Sequence, residues 1–388
     1  MNNVETSILI HYHELGLKGN NRNWFEKVFR SNIKRHLKDL KFQSIKILGA
    51  RIFINQIELN EWSKYKNRLN NVMGLSNATL VYKVEPKIEN FNSIAENLIK
   101  NQSFDTFKVH SRRQYKDFPH TSMDMNVKVG EFIQKICKKP VKLKNPDLTI
   151  YIEVVNNKGY IGIDRLYGYG GLPMGVSEQA LSLISSGIDS PVASFELLKR
   201  GVYISYLHFH SYPSTTKQSI ENVKSILNVL KKYQIQCPLY IVPLLKIQQE
   251  IMKNSPNKYW VLLFRRAMVH LSCLIANKKN ISALITGENV GQVASQTLSN
   301  IRVIDDASSL PIIRPLAGMN KQDIINKARE IKTYSISTEP YQDCCSYFVP
   351  EHPATKAKID IVKKIESKYN LTNLYKKAID NTDYEIIK

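Results

Sequence analysis

Acidic side chains are what this sequence is short of. Asp and Glu number 34 against 55 Lys and Arg, a formal charge of +21, and that imbalance suits a protein that holds a polyanion better than one that binds a small acid. Cysteine is scarce as well. Cys137, Cys237 and Cys273 lie far apart and Cys344 and Cys345 are adjacent, so no disulfide framework is drawn and the thiols are expected reduced unless chemistry uses them. No apolar run approaches the roughly 18 residues of a membrane span. The opening MNNVETSILIHYHEL also lacks a basic segment followed by an unbroken apolar stretch. A cytoplasmic chain without membrane contact is expected. No internal repeat or low-complexity tract stands out. What is present is ordinary globular composition, 43% hydrophobic and 23% charged, which argues against disorder despite the charge. At about 150 residues per domain, the 388 residues suggest two or three folded units.

The basic excess is shared by both halves of the chain, which fits an extended surface on several domains better than a basic tail. Glycines cluster in YGYGGLPMG at Gly168, Gly170, Gly171 and Gly175, where no helical or strand period survives. A domain boundary is expected there. Upstream, SILIHYHEL and SIKILGARIFINQI read as strands flanking an amphipathic helix near Asn23 to Lys38. DFPHTSMDMNVKVGEFIQKICKK reads as helical, and LTIYIEVVNNKGYIGIDRL as a hairpin turning at Asn157, Lys158 and Gly159. The N-terminal half is therefore α+β. Downstream, short apolar runs such as QALSLIS, VYISYLHF, PLYIVPL and SALIT alternate with helical stretches, the pattern of an α/β doubly wound parallel sheet, which takes ligands beyond the carboxyl ends of its strands.

Between the strand ending at Ile184 and the helix carrying Val192, Ala193 and Phe195 lies Ser185-Ser186-Gly187-Ile188-Asp189-Ser190. A helix start offers unpaired N–H groups, Gly187 lets backbone approach closely, and the Ser185 and Ser190 hydroxyls can donate: a cradle for phosphate. Phosphate alone would repel Asp189, so its place there makes sense if Mg2+ bridges it to a nucleotide. Taken alone, the segment fits an ordinary N-cap equally well.

This loop resembles the SGGxDS signature of the PP-loop ATP pyrophosphatases, which split ATP between its α and β phosphates. The signature's first glycine is Ser186 here. A positive φ at that position would make serine weaken nucleotide binding, whereas a negative φ would leave room for it. Further segments resemble the tRNA 4-thiouridine synthetase family, in the expected order: HELGLKGNNRNWFEK, FKVHSRRQYKDFPHTSMDMN, LHFHSYP, FRRAM, ITGENVGQVASQTLSNIRVI, IRPLAGMNKQDII and ISTEPYQDCCSYFVPEHPATK. The resemblance covers nearly the whole chain. It implies a ferredoxin-like domain (residues 1–57), a THUMP RNA-binding domain (58–165), a linker (166–176) and a PP-loop domain (177–388).

By matching motifs, the resemblance implies that Leu183, Ile184, His208 and Phe209 bracket adenosine, that Arg265 neutralises phosphate, and that Gly287 and Gln296 complete the ATP site begun by Ser185, Gly187 and Ser190. Lys321 matches a functional lysine of the family. Without the resemblance, Phe209 and His208 read as core and Arg265 as part of a solvated helical face. His208 and His210 alone make no metal site. Cys344 matches the catalytic cysteine, with Cys345 as a second thiol. Family chemistry adenylates O4 of uridine-8 in tRNA, after which persulfide sulfur displaces AMP. Longer members carry a rhodanese domain that this sequence does not show, so the expected sulfur source is a cysteine desulfurase or a separate persulfide carrier. Dimerisation is a family-level expectation. In the THUMP-like region Lys108, Arg112, Arg113 and Lys116, with Tyr115 and Phe118 interleaved, suit structured RNA. Two other readings stand beside the enzyme: a sulfur carrier for thiamine thiazole synthesis, and a tRNA-binding protein whose adenylation is impaired at Ser186.

Overall fold

The computed structural model describes residues 4–340, 348 and 350–388. The chain divides into two units, 1–173 and 174–388.

In the first unit the strands are β1 (Thr6–Tyr12), β2 (Ser44–Leu48), β3 (Arg51–Asn55), β4 (Leu75–Val84), β5 (Phe107–Arg113), β6 (Leu148–Val155), β7 (Lys158–Gly162) and β8 (Arg165–Tyr167). They form one sheet, ordered β2-β3-β1-β4-β7-β6-β5, with β8 paired to β4. Beside it lie the α-helices α1 (Arg22–His36), α2 (Trp62–Leu69), α3 (Ile88–Ile99) and α4 (Ser122–Cys137). Strand alternation sorts the side chains by face. Ile8, Ile10, Ile52 and Ile54 pack with Phe29 and Ile33 of α1, while Phe107, Val109, Ile150 and Ile152 pack with Phe91 of α3 and Val129 of α4. The opposite face holds a smaller cluster, Leu9, Phe53, Val81, Val155 and Tyr160. There Glu153 is buried between Arg51 (Nε, 2.5 Å) and His11 (Nε2, 2.7 Å). Burial pushes its carboxyl up, but the two basic neighbours outweigh this and hold it below the ordinary carboxylate range.

Local chemistry sets the boundaries. Helix α4 begins at Ser122 because Thr121 and Asp124 close a reciprocal capping box. The hairpin turn between β6 and β7 lies at Asn156 and Asn157 (φ 45° and 55°), not at Asn157, Lys158 and Gly159. A two-residue turn of this hand needs positive φ at both positions, which asparagine tolerates, so Lys158 and Gly159 already pair with Val155 and Val154. Glycine is needed at 159 for packing: a Cβ there would lie 2.6 Å from the Phe91 ring.

The second unit alternates β9 (Ala180–Leu183), α5 (Asp189–Leu198), β10 (Ile204–His210), α6 (Gln218–Gln234), β11 (Cys237–Pro243), α7 (Leu245–Asn254), α8 (Trp260–Lys278), β12 (Ala283–Ile285), α9 (Leu298–Asp305) and β13 (Ile312–Ile313). After these come α10 (Lys321–Glu330), α11 (Tyr334–Ser337), α12 (Ile359–Glu366), α13 (Thr372–Asp380) and β14 (Asp383–Ile387). The sheet order is β13-β12-β9-β10-β11-β14. All pairs are parallel except β14, which runs antiparallel to β11. Among the described residues one helical stretch, Asn257–Lys278, is long and apolar enough to cross a membrane, but 72% of its apolar window is buried inside the protein, as in a core helix.

Cys237 opens β11 in this core, and burial pushes its thiol up to about 12. Cys273 is buried on α8. Since the thiolate is the reactive form, alkylation of the folded chain at about pH 8 is expected to spare both cysteines until denaturant is added. Peptide mapping that finds Cys237 modified in the native protein would contradict this.

Candidate active site

Strand β9 ends at Leu183, and the chain turns through Ser185 to Ile188 into α5. The serines organise that turn: Ser190 Oγ accepts from the Ser185 amide (2.9 Å) and Ser185 Oγ from the Gly187 amide (3.3 Å). Among the described residues no side chain caps α5, whose N-cap is Ile188. Asp189 is therefore not the ordinary cap considered from sequence. Its Oδ1 accepts from Lys321 Nζ at 2.6 Å and its Oδ2 from Gln292 Nε2 at 3.0 Å. Lys321 opens α10, 132 residues further along the chain.

Ser186 resolves a question the sequence leaves open. It is not among the non-glycine residues with positive φ. Its side chain is wholly buried, and it is not among the residues that line the neighbouring cavity. Among the described residues its hydroxyl has no hydrogen-bond partner, and such burial costs about 1–3 kcal/mol. Ser186→Ala is accordingly expected to raise the thermal midpoint by a few degrees, roughly 1 kcal/mol, and to leave the KM for nucleotide unchanged. A midpoint that falls, with weaker nucleotide binding, would show the hydroxyl to be used.

The cavity, of about 430 Å³, lies at the carboxyl ends of the parallel strands. Leu183, Ile184, Ser185, Gly187, Asp189, Ser190, His208, Phe209, Arg265, Gly287 and Gln296 all line it. The imidazole of His208 is fixed. Its Nδ1 lies 3.0 Å from Ile184 O and its Nε2 3.2 Å from Ser219 Oγ, so Nδ1 carries the proton and Nε2 accepts from the hydroxyl. Gly287 lets two backbones meet, since a Cβ there would lie 2.7 Å from the Ser190 amide nitrogen. Among the described residues Arg265 makes one hydrogen bond, from NH1 to Glu288 Oε1 at 2.8 Å. Its Nε, a donor, and Gln296 Oε1, an acceptor, are buried without partners there. Cys344 and Cys345 lie outside the described residues.

A second surface, on the first unit, comes from β5 and its neighbours. Alternation separates Lys108 and Arg112 from Arg113, whose NH1 donates to Phe118 O at 2.8 Å. Phe118 is core, 4% exposed, and so offers no aromatic platform; Tyr115 packs partly against the same cluster. Lys116 is exposed. The sequence reading missed residues that join Lys108 and Arg112 only through strand pairing. His110 pairs with Tyr151 across β5 and β6, the Arg165 guanidinium stacks over the Tyr151 ring at 3.4 Å, and Tyr151 and Tyr167 hydroxyls meet at 3.2 Å. Burial, then the charges of Arg112, Arg165 and Lys108, push the His110 imidazole down from its ordinary value. The face is basic and aromatic together.

A helix start that no described side chain caps, following the first strand of a parallel sheet and opening onto a cavity, is the anion- and nucleotide-binding arrangement of doubly wound α/β domains. Residues 175–371 match the family described as Thiamine biosynthesis protein (ThiI), residues 7–79 the ThiI ferredoxin-like domain and residues 86–164 the THUMP domain. Probable tRNA sulfurtransferases of Acetivibrio thermocellus and Thermoanaerobacter sp. are each 38% identical, over 97% and 99% of this chain and 97% and 100% of their own lengths. A solved 4-thiouridine synthetase in complex with RNA and bound ATP is 36% identical, covers 99% of this chain and 100% of its own, and superposes with a TM-score of 0.87. A Pyrococcus horikoshii structure, 23% identical over 84% of this chain and 99% of its own with a TM-score of 0.65, shares the fold. The chain belongs to the ThiI family and is an enzyme of the tRNA sulfurtransferase type.

Proposed function

We propose that this enzyme uses ATP to replace the O4 oxygen of uridine-8 in tRNA with sulfur. One observation carries the reading: side chains scattered from Leu183 to Gln296 converge on a single cavity over an uncapped helix start. Oxide is a poor leaving group from a pyrimidine. Attack of O4 on the α-phosphorus breaks the bond to the β-phosphate, releases pyrophosphate and leaves O4 as a phosphate ester, with the N3 proton passing to solvent. The terminal sulfur of a Cys344 persulfide then attacks C4, and AMP departs with the oxygen. The disulfide left between Cys344 and the base is opened by a thiol, either external or Cys345, which forms a new disulfide and frees the thiolated uracil.

The residues have distinct tasks. Backbone groups of Leu183 and Ile184 and the Phe209 ring seat adenosine. The amides at the start of α5, the hydroxyls of Ser185 and Ser190, and Arg265 meet phosphate oxygens. A partner supplied by the ligand would relieve the buried Arg265 Nε and Gln296 Oε1. Mg2+ fits the donor set: Asp189 is a hard oxygen ligand, and Mg2+ is commonly held by one or two carboxylates plus substrate phosphates. No group of three His, Cys, Asp or Glu side chains suited to a metal occurs among the described residues, so Asp189 would hold it with the nucleotide. Bound there, the ion would offset phosphate charge. The face of Lys108, Arg112, Tyr151, Arg165 and Tyr167 takes the RNA, its cations meeting phosphates and its rings stacking on exposed bases. The sulfur comes from a cysteine desulfurase or persulfide carrier.

Incubating the purified chain with ATP, a tRNA transcript and a persulfide source is expected to produce the near-ultraviolet absorbance of thiolated uracil, dependent on ATP. Absorbance that forms equally without ATP, or none with all three present, overturns the reading.

A further inference from the structure

The cavity that would take polyphosphate has a carboxylate in its wall. Glu288 lines it with a side chain 7% exposed, and an isolated anion there would repel the ligand. It is not isolated. Oε1 accepts from Arg265 NH1 at 2.8 Å, and Oε2 accepts from Arg314 Nε at 2.6 Å and Thr286 Oγ1 at 3.1 Å. Arg314 is gripped from its other end by Asp305, through NH2 to Oδ1 at 2.5 Å and NH1 to Oδ2 at 3.3 Å. Two guanidinium groups and two carboxylates cancel in charge, so Glu288 is no spare acid or base.

The topology explains how the four meet. Glu288 and Arg314 follow β12 and β13, which are adjacent and parallel, while Arg265 comes from α8 and Asp305 ends α9. Arg314 does not line the cavity. Whatever it does for the ligand, it does through Glu288. An arginine side chain loses rotamer freedom when fixed, a cost met before the ligand arrives if the chain itself holds the guanidinium.

We infer that Glu288, braced by Arg314, is a positioning residue for the nucleotide step: it orients Arg265 toward the phosphates. The inference rests on the nucleotide reading of the cavity, and one double-mutant cycle separates the two. The readout is the KM for ATP in tRNA-dependent AMP release. Glu288→Gln keeps the shape but loses the charge that holds two arginines, and is expected to raise that KM about tenfold, the worth of one charged hydrogen bond. Arg265→Ala is expected to raise it at least as much. In the Arg265→Ala background, Glu288→Gln should then add less than about twofold, because its effect passes through a side chain no longer there.

An unchanged KM in Arg265→Ala would sink the nucleotide reading of that residue. A raised KM in Arg265→Ala combined with an unchanged or lowered KM in Glu288→Gln, or with fully additive effects, would overturn the positioning role alone. Arg314→Lys, which alters nothing in the cavity wall, should raise the KM for ATP in the same direction if Glu288→Gln fails to fold; no change in it would refute the brace.

Discussion

Cys344→Ala is expected to release AMP and pyrophosphate from ATP in the presence of tRNA while forming no 4-thiouridine. In the proposed mechanism adenylation needs the cavity beside α5 but no thiol, whereas sulfur transfer needs a persulfide, and removing the nucleophile of such a step typically costs at least about a thousandfold. The contrast between the two readouts is informative. Loss of thiolation with AMP release intact assigns Cys344 to the second step; loss of both would make the residue structural. Two of the other cysteines cannot substitute easily. Cys237 and Cys273 are buried, and the Cys237 thiol is pushed up to about 12 by that burial. Cys345→Ala then asks whether the covalent intermediate is opened from within: thiolation that becomes dependent on added thiol would place the second sulfur there.

Asp189→Ala acts one step earlier and is expected to lower AMP release by about a hundred- to a thousandfold, the scale on which losing a charge-stabilising group at a reacting centre is felt. The carboxylate is poised rather than spent. Each of its oxygens accepts one hydrogen bond, from Lys321 or from Gln292, which leaves a lone pair on each for a cation. Removing it also frees Lys321, so the charge in the site becomes more positive even as the proposed metal ligand is lost. If Asp189 only balanced Lys321, nucleotide would bind at least as well and AMP would still form. Unchanged AMP production would therefore overturn the metal role. Thiolation should fall in step with AMP release in Asp189→Ala, unlike in Cys344→Ala.

Much of the site is legible in local segments because its residues follow strand ends. Ser185 and Gly187 lie in one turn that leads directly to Ser190 at the start of α5, and His208 and Phe209 share one strand. What cannot be read locally are the partnerships. Nothing in the motif around Lys321 says that it reaches Asp189, and nothing in FRRAM says that Arg265 is held by Glu288 while its neighbour Arg266 turns to Glu366 and Asp306. The proposed RNA face shows the same division. Its lysine and arginine lie in one stretch of β5, but Tyr151, Arg165 and Tyr167 are supplied by strands distant in sequence. Phe118 looked like a platform only because burial is invisible in a single segment.

By itself, the order of residues determined the α+β half, the alternating half, the polyanion-sized excess of positive charge and the turn where phosphate chemistry is expected. Those follow from periodicity, composition and backbone permission, which act over a few residues. Tertiary structure alone decided that Ser186 is buried outside the cavity lining, that Asp189 pairs with a lysine rather than capping its helix, and that Glu288 faces two arginines. Such outcomes depend on which strand lies beside which, and an ion pair or a buried hydroxyl takes its energy from neighbours that only the folded chain brings near.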